Sequence, residues 1–280
     1  MIVIRECQGL DELEACVQLQ VETWGYDATD LMPRKAFLVM QKAGGQVVGA
    51  FDTELHGAGP RGDANSMVGF ALSLPGVKTN PRFPQGEPLA YLHSHMLAVK
   101  EGYRNCGIGA KLKLAQRDEA LSRGIRLMEW TFDPLEIKNA FLNIHKLGAL
   151  VCHYRENFYG VSSSRLQGGL PTDRLLAEWY LDSDRVRSIL DGRAMAVPHI
   201  EERITVPASI YEWKATERNR ESALALQLEN RRRFQHAFSR GLAVLGFERD
   251  PEGNGIFELG PTTQLESGIQ TFKEQPTYEN

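Results

Sequence analysis

An arginine and two glycines spaced as Arg104-x-x-Gly107-x-Gly109 stand between a strand-like run ending at Val99 and the first turn of a helix-like run. At a helix start the first backbone N–H groups have no intrahelical acceptor, and residues without side chains let an anion come close to them. The chemistry such a turn offers is phosphate or pyrophosphate binding. Charge agrees. From Val99 to Arg126 seven basic residues (Lys100, Arg104, Lys111, Lys113, Arg117, Arg123 and Arg126) stand against three acids (Glu101, Asp118 and Glu119), in a chain of net charge −4. The alternative is a tight turn beside a solvated helix face, and glycine spacing alone leaves both open. A nucleotide P-loop needs Gly-Lys-Ser/Thr at the helix start, which Gly109-Ala110-Lys111-Leu112 lacks. A dinucleotide site needs a third glycine where Leu112 stands, although Glu129 lies where a ribose-binding acid would be.

Hydropathy periods and turn residues predict the elements that must position this turn. They give a strand at Ile2–Ile4, a helix over Leu10–Thr23 with Leu10, Leu13, Val17 and Gln20 or Val21 inward, a helix over Arg34–Lys42, and strands at Gln46–Phe51 and Ser66–Leu74. Four prolines between Pro75 and Pro88 predict an exposed loop. A strand over Ala90–Val99, the turn, a helix from Gly107 to Arg123 and a strand over Arg126–Phe132 follow. Asp133-Pro134-Leu135-Glu136 has the form of a capped helix start, running to Leu147 and stopping at Gly148. Strands at Ala149–Tyr154 and Leu175–Leu181 complete about 182 residues. Beyond them come a strand at Ile200–Val206, a helix over Ala215–Arg240, strands at Leu242–Phe247 and Gly255–Leu259, and a polar tail.

The 280 residues, 42% hydrophobic and 24% charged, are ordinary for a globular chain and sufficient for one large domain or two. No stretch approaches the ~20 apolar residues of a membrane span, and the N-terminus turns charged too soon for a signal-peptide core. Four cysteines without a CxxC pair argue against a disulfide framework and a structural zinc site. These features predict a cytoplasmic protein with no nucleic-acid or membrane partner.

Arg104-x-x-Gly107-x-Gly109 resembles the Q/R-x-x-G-x-G/A acyl-CoA pyrophosphate motif of the GNAT (GCN5-related N-acetyltransferase) superfamily. The order of elements is similar too, and Lys146-Leu147-Gly148-Ala149 resembles the family's "KLGF" before its sixth strand. The resemblance implies an α+β GNAT acyl-CoA N-acyltransferase fold, with a mixed, mostly antiparallel central sheet flanked by helices, over residues 1–182. A C-terminal β-α-β-β extension would occupy 183–260 and the tail 261–280. It further implies transfer of an acetyl group from acetyl-CoA to an amine of a small-molecule or amino-acid-like acceptor, without metal, in a chain compatible with a homodimer. Arg104, Asn105, Cys106, Gly107, Ile108, Gly109 and Ala110 would hold the pyrophosphate. The strand backbone at Leu97, Ala98 and Val99 would meet the pantetheine arm, and Asn139 would lie near the cofactor. A nucleotide- or NAD-binding enzyme and a non-catalytic acyl-CoA-binding protein are the alternatives.

Two residues are candidate bases. His93 stands where histone-type members place a glutamate, and Glu129 lies on the strand near which the family's sheet opens. His93 and His95 share a strand face and resemble an H-x-H metal half-site, but no third ligand can be placed, and two hydrogen-bonded histidines explain the pair equally well. The family's acidic tyrosine is replaced by Ile144, and none of Asn143, His145, Tyr154 or Tyr159 inherits its role by position. Cys106 fits as a small side chain in a tight turn better than as an acyl carrier. Arg231, within the arc of the stripe Leu224, Leu228, Phe234 and Phe238, fits a carboxylate partner or an anionic substrate.

Overall fold

The computed structural model describes residues 1–55, 57, 59–78 and 88–265. They divide into two compact units, Met1–Gly76 with Leu92–Met128 and Ser162–Leu166, and Val77–Tyr91 with Glu129–Val161 and the chain from Gln167. The fold class is α+β, with a mixed, mostly antiparallel open sheet flanked by helices.

In the first unit, β1 (Ile2–Glu6) pairs antiparallel with β2 (Gln46–Asp52), Ile4 opposite Ala50, and β2 pairs antiparallel with β3 (Met67–Lys78), Gly49 opposite Phe70. Alternation along β2 sends Val47 and Phe51 to one face and Val48 and Ala50 to the other. The first face packs on α1 (Gly9–Trp24) and α2 (Arg34–Lys42) through Leu13, Cys16, Leu19 and Phe37. The second packs on α3 (Ile108–Ser122) through Ile108 and Leu112. The buried stripe of α1 is rotated from the predicted one, leaving Leu10 and Val21 exposed while Cys16 and Leu19 go inward. Pro75 and Gly76 extend β3 instead of opening a loop. Pro75 lies beyond the last β2 pair, Ser73 with Gln46, so its missing N–H costs no bond on that side. Residues 79–87 of the predicted proline-rich loop, and 266–280 of the tail, lie outside the described residues.

In the second unit, β6 (Leu150–Arg155) pairs antiparallel with β7 (Arg174–Tyr180) on one side and with β9 (Leu242–Arg249) on the other, at Val151 and Val244. β9 then pairs with β10 (Gly255–Pro261), and β10 with β8 (Glu202–Val206). The C-terminal segment thus continues the sheet from β6 outward, which supplies that strand with hydrogen-bond partners on both edges.

Three helical predictions differ from the structure here. The long C-terminal helix expected from Ala215 starts only at Arg220, as α7 (Arg220–Ser239), and a separate short helix not expected from sequence, α6 (Ile210–Ala215), precedes it, with Thr216 extended between them. The buried line of α7 is Ala223, Gln227, Asn230, Phe234 and Ala237, not the leucine stripe, because the Gln227 and Asn230 amides reach the Pro171 and Thr205 carbonyls. The helix expected at Asp133 starts only at Ile137, as α4 (Ile137–Ala140), and passes into a π-helical stretch, Phe141–Lys146. Asp133 accepts from Leu135 N–H at 2.8 Å, but Asp133 and Glu136 also grip the buried Lys214 ammonium of α6, at 2.9 and 2.8 Å. Both carboxylates hold the Lys214 pKa above its ordinary value despite burial.

Helix α5 (Asp184–Leu190), capped by the Ser183 hydroxyl, is, like α6, an element missed from sequence. Its Arg185 donates to the carbonyls of Gly148 at 2.9 Å and Leu245 at 2.7 Å. Gly148 itself has φ +79°, and a Cβ there would meet Ile189 of α5 at 3.0 Å, so the glycine of the "KLGF"-like run is needed for both backbone and packing.

Candidate active site

The turn before α3 is built by backbone conformation. β4 (Leu89–Val99) ends with Lys100 N–H donating to Val68 O at 2.8 Å. Ala98 runs so close to β3 that a Cβ on Gly69 would lie 2.8 Å from the Ala98 carbonyl oxygen. Tyr103 N–H and Arg104 N–H close a short turn onto Lys100 O and Glu101 O. Asn105 at φ 63° and Gly107 at φ 78° then bracket Cys106, the alternation that makes successive N–H groups converge on a concave spot. The first intrahelical bond is Lys111 N–H to Gly107 O, so the N–H groups of Ile108, Gly109 and Ala110 precede the ladder.

Ile108 is buried beside Leu112 and fixes the helix start, whereas residues 104–107 are exposed. A Cβ on Gly107 would meet nothing within 4 Å. Main-chain donors that precede the ladder at an uncrowded helix start fit a phosphate group. The Arg104 guanidinium bonds the Val99 carbonyl through Nε at 3.1 Å, and the Cys106 thiol donates to Arg104 O at 3.5 Å. Leu97 and Val99 pack, half-buried, against the Ile108 cluster. Because the space around Gly107 is open, Gly107→Ala isolates the cost of the left-handed backbone. Urea unfolding is expected to show a loss of about 1 kcal/mol, and no loss would mean that the turn relaxes without it.

The local charge excess is smaller than composition implies. Lys113, counted among the cations of this segment, points into the core and is 3% exposed. Its ammonium donates to Ser94 Oγ at 2.7 Å, Ser94 donates to Gln116 at 3.0 Å, and burial pushes the Lys113 pKa well down. Arg123 is engaged by Glu119 and by Gly44 O.

On β4, Leu92, Ser94, Met96 and Ala98 are buried and His93, His95, Leu97 and Val99 form the half-buried opposite face, as period two requires. The His93 and His95 rings are 6.2 Å apart. Burial lowers the His95 pKa, so this ring is neutral at pH 7. Among the described residues no group of three or more His, Cys, Asp or Glu could hold a metal ion.

The second unit carries Glu129 and Asn139. Glu129, on β5 (Leu127–Phe132), is 3% exposed, and its carboxylate forms an ion pair with the Lys78 ammonium. Lys78 lies over the Tyr91 ring, 4.9 Å from its centroid. Burial raises the Glu129 pKa above the usual carboxylate range, with the Lys78 charge opposing the shift. Two residues along the same face, Thr131 Oγ1 shares a 2.8 Å hydrogen bond with the Tyr159 hydroxyl. The buried Tyr180 hydroxyl is pushed far up by desolvation and by Glu178, Cys152 and Glu129. Asn139 is exposed on α4, Asn143 and Ile144 are buried, and His145 stacks on Phe141 at 4.5 Å. Tyr154 donates to Asp173 at 2.6 Å, and Arg231 pairs bidentately with the same carboxylate at 2.9 Å for each bond. Arg231 therefore has a buried acid for a partner.

The predicted residues thus fall into two sets, the turn with Leu97–Val99 and His93 in one unit, and Glu129 and Asn139 in the other. Lys78, Tyr91 and Tyr180 escaped the sequence reading. Tyr91 shares the period-two face of His93 and could have been found that way, but no local signal pairs Lys78 with a residue 51 positions away.

No protein-family model matches the chain, and no curated protein matches it. Among solved structures it is similar to Arabidopsis thaliana NAA60 in complex with acetyl-CoA, at 14% identity and a TM-score of 0.51, over 65% of this chain and 100% of that one. It also matches the Escherichia coli ribosomal-protein-S18-alanine N-acetyltransferase, at 15% identity and a TM-score of 0.46, over 72% of this chain and 100% of that one. A third match is yncA, a putative acetyltransferase from Salmonella typhimurium with acetyl-CoA, at 16% identity and a TM-score of 0.46, over 71% and 98%. At 14% identity the likeness to NAA60 speaks for architecture alone, and it agrees with the element order and the strand–turn–helix described above: the chain has the GNAT fold.

Proposed function

We propose that the protein is an acetyl-CoA-dependent N-acetyltransferase acting on an amine of a small-molecule or amino-acid-like acceptor. The observation that carries this reading is the turn from Arg104 to Ala110, where Asn105 and Gly107 are left-handed and the main-chain N–H groups of Ile108, Gly109 and Ala110 precede the ladder of α3. Those donors would hold the pyrophosphate, and the backbone of Leu97, Ala98 and Val99 would guide the pantetheine arm. The cosubstrate supplies an activated acetyl thioester. The protein's own work is to orient an amine against it and to remove a proton from the attacking nitrogen. Glu129 is the base in this reading, being buried, ionisable and already facing an ammonium group, and His93 is the second candidate. Residues 1–182 would form the acetyltransferase domain and 183–260 the extension.

Acetyl-CoA at about 100 times its Kd is expected to stabilise the protein by about 2.7 kcal/mol, a melting shift of roughly 5 °C. Arg104→Glu should remove that shift by placing a like charge beside the phosphates. A shift with NAD(H) and none with acetyl-CoA would overturn the assignment. Buried Ile144, in place of the family's tyrosine, favours one second reading, a non-catalytic acyl-CoA-binding protein. A melting shift with acetyl-CoA, combined with no CoA release across a panel of amines, would select it.

A further inference from the structure

We propose that Lys78 occupies the acceptor-amine position beside Glu129 and is acetylated there by the protein itself. The inference rests on the acetyltransferase reading above and adds a modification site and an internal acceptor to it.

An amine about to attack a thioester must sit within hydrogen-bond reach of the base that takes its proton. The Lys78 Nζ meets that requirement at Glu129, the one base candidate that is buried and charged. Its side chain is 19% exposed, so it is partly withdrawn from water but not sealed in the core. The Tyr91 ring flanks the ammonium, a placement that tolerates either a cation or a neutral amide. The other buried lysines lack this combination. Lys214 is clasped by two carboxylates that keep it an ammonium, and Lys113 lies on the core face with Ser94. Glu129, by contrast, is a single carboxylate whose burial favours taking up a proton.

The step balances without a further reactant. The Lys78 ammonium passes one proton to the Glu129 carboxylate, and the neutral nitrogen attacks the thioester carbonyl carbon of acetyl-CoA. The new C–N bond forms, the C–S bond breaks with its electron pair on sulfur, and the second nitrogen proton goes to the thiolate to give CoA-SH. An amide and a protonated Glu129 remain, so the pair loses one charge of each sign together. Acetylation removes the lysine charge and with it the cation that now holds Glu129 ionised.

The test is site-resolved mass spectrometry of the full-length protein incubated with acetyl-CoA at neutral pH, with urea-unfolded protein giving the chemical background at each lysine. Lys78 is expected to be acetylated at least tenfold above that background, at a rate independent of protein concentration, and to fall to background in Glu129→Gln. Lys78→Arg, which keeps the cation and removes the acceptor, should abolish the acetyl increment on that peptide alone. A melting shift with acetyl-CoA but background labelling of Lys78 would overturn this proposal and leave the acetyltransferase reading intact. Labelling unchanged in Glu129→Gln would overturn it as well. Absence of any melting shift would remove the acetyltransferase reading and this proposal together.

Discussion

Glu129→Gln is expected to lower kcat/KM for acetyl transfer by about 10²- to 10⁴-fold, the usual contribution of a positioned general base, while the melting response to acetyl-CoA stays as in the wild type. The split matters because Glu129 and the turn before α3 lie in different units of the fold. Glutamine keeps the shape of the side chain and loses both its capacity to accept a proton and the charge that pairs with Lys78.

The pH dependence sharpens the test. A base must be ionised to act, so kcat/KM should rise with pH along an acidic limb set by Glu129. Burial outweighs Lys78 in setting this pKa, and the limb should therefore fall above the ~4.3 of an unperturbed glutamate. Lys78→Met removes the opposing charge and should move the limb further up. An acidic limb that persists in Glu129→Gln would transfer the role of base elsewhere, with His93→Ala as the next variant to measure.

Stability carries a separate argument about Glu129. Its pKa is raised on folding, so its favourable contribution is fully present below the unfolded pKa and is lost as pH rises through the folded one. Above the folded pKa the ionised, buried carboxylate works against the fold. A residue kept at such a cost is a stronger functional candidate than one that stabilises the native state.

What the sequence disclosed depended on whether a signal was local. β2, α2, α3 and the turn at Gly107 carry their own caps, periods and glycines, and lie within a residue or two of the predicted bounds. The helices α5 and α6 are too short to show a period. Lys113 and Glu136 show a different failure. Both belong to plausible local patterns, a basic helix face and a capping box, yet tertiary partners claim them, Ser94 for the first and Lys214 for the second. The turn before α3 was legible because its glycines and the strand and helix around it are local signals. The Glu129 surroundings were not, because Lys78, Tyr91 and Tyr180 meet that carboxylate only through sheet topology and register.

The second large effect is expected at Asp173, where replacement by alanine should cost about 3–5 kcal/mol in urea unfolding. Asp173 is fully buried, and its two oxygens take four bonds: two from Arg231, one from the Tyr154 hydroxyl and one from Asn157 N–H at 2.9 Å. Removing the acid leaves the largely buried guanidinium with Glu156 as its remaining carboxylate partner and takes the acceptor from the half-buried Tyr154 hydroxyl, whereas removing Arg231 leaves the carboxylate with two donors. Asp173→Ala should therefore destabilise more than Arg231→Met, and the double variant should cost less than the sum of the two. The same carboxylate anchors the turn at Asn157, whose side-chain oxygen accepts from Thr172 N–H at 3.1 Å. That turn leads to Tyr159, hydrogen-bonded to Thr131 two residues from Glu129. A loosened Asn157 turn would reach the acceptor side of the proposed reaction first, so in Asp173→Ala KM for the acceptor should rise more than KM for acetyl-CoA. A cost below about 1 kcal/mol would place this network in the range of exposed ion pairs and would break the link between α7 and β5.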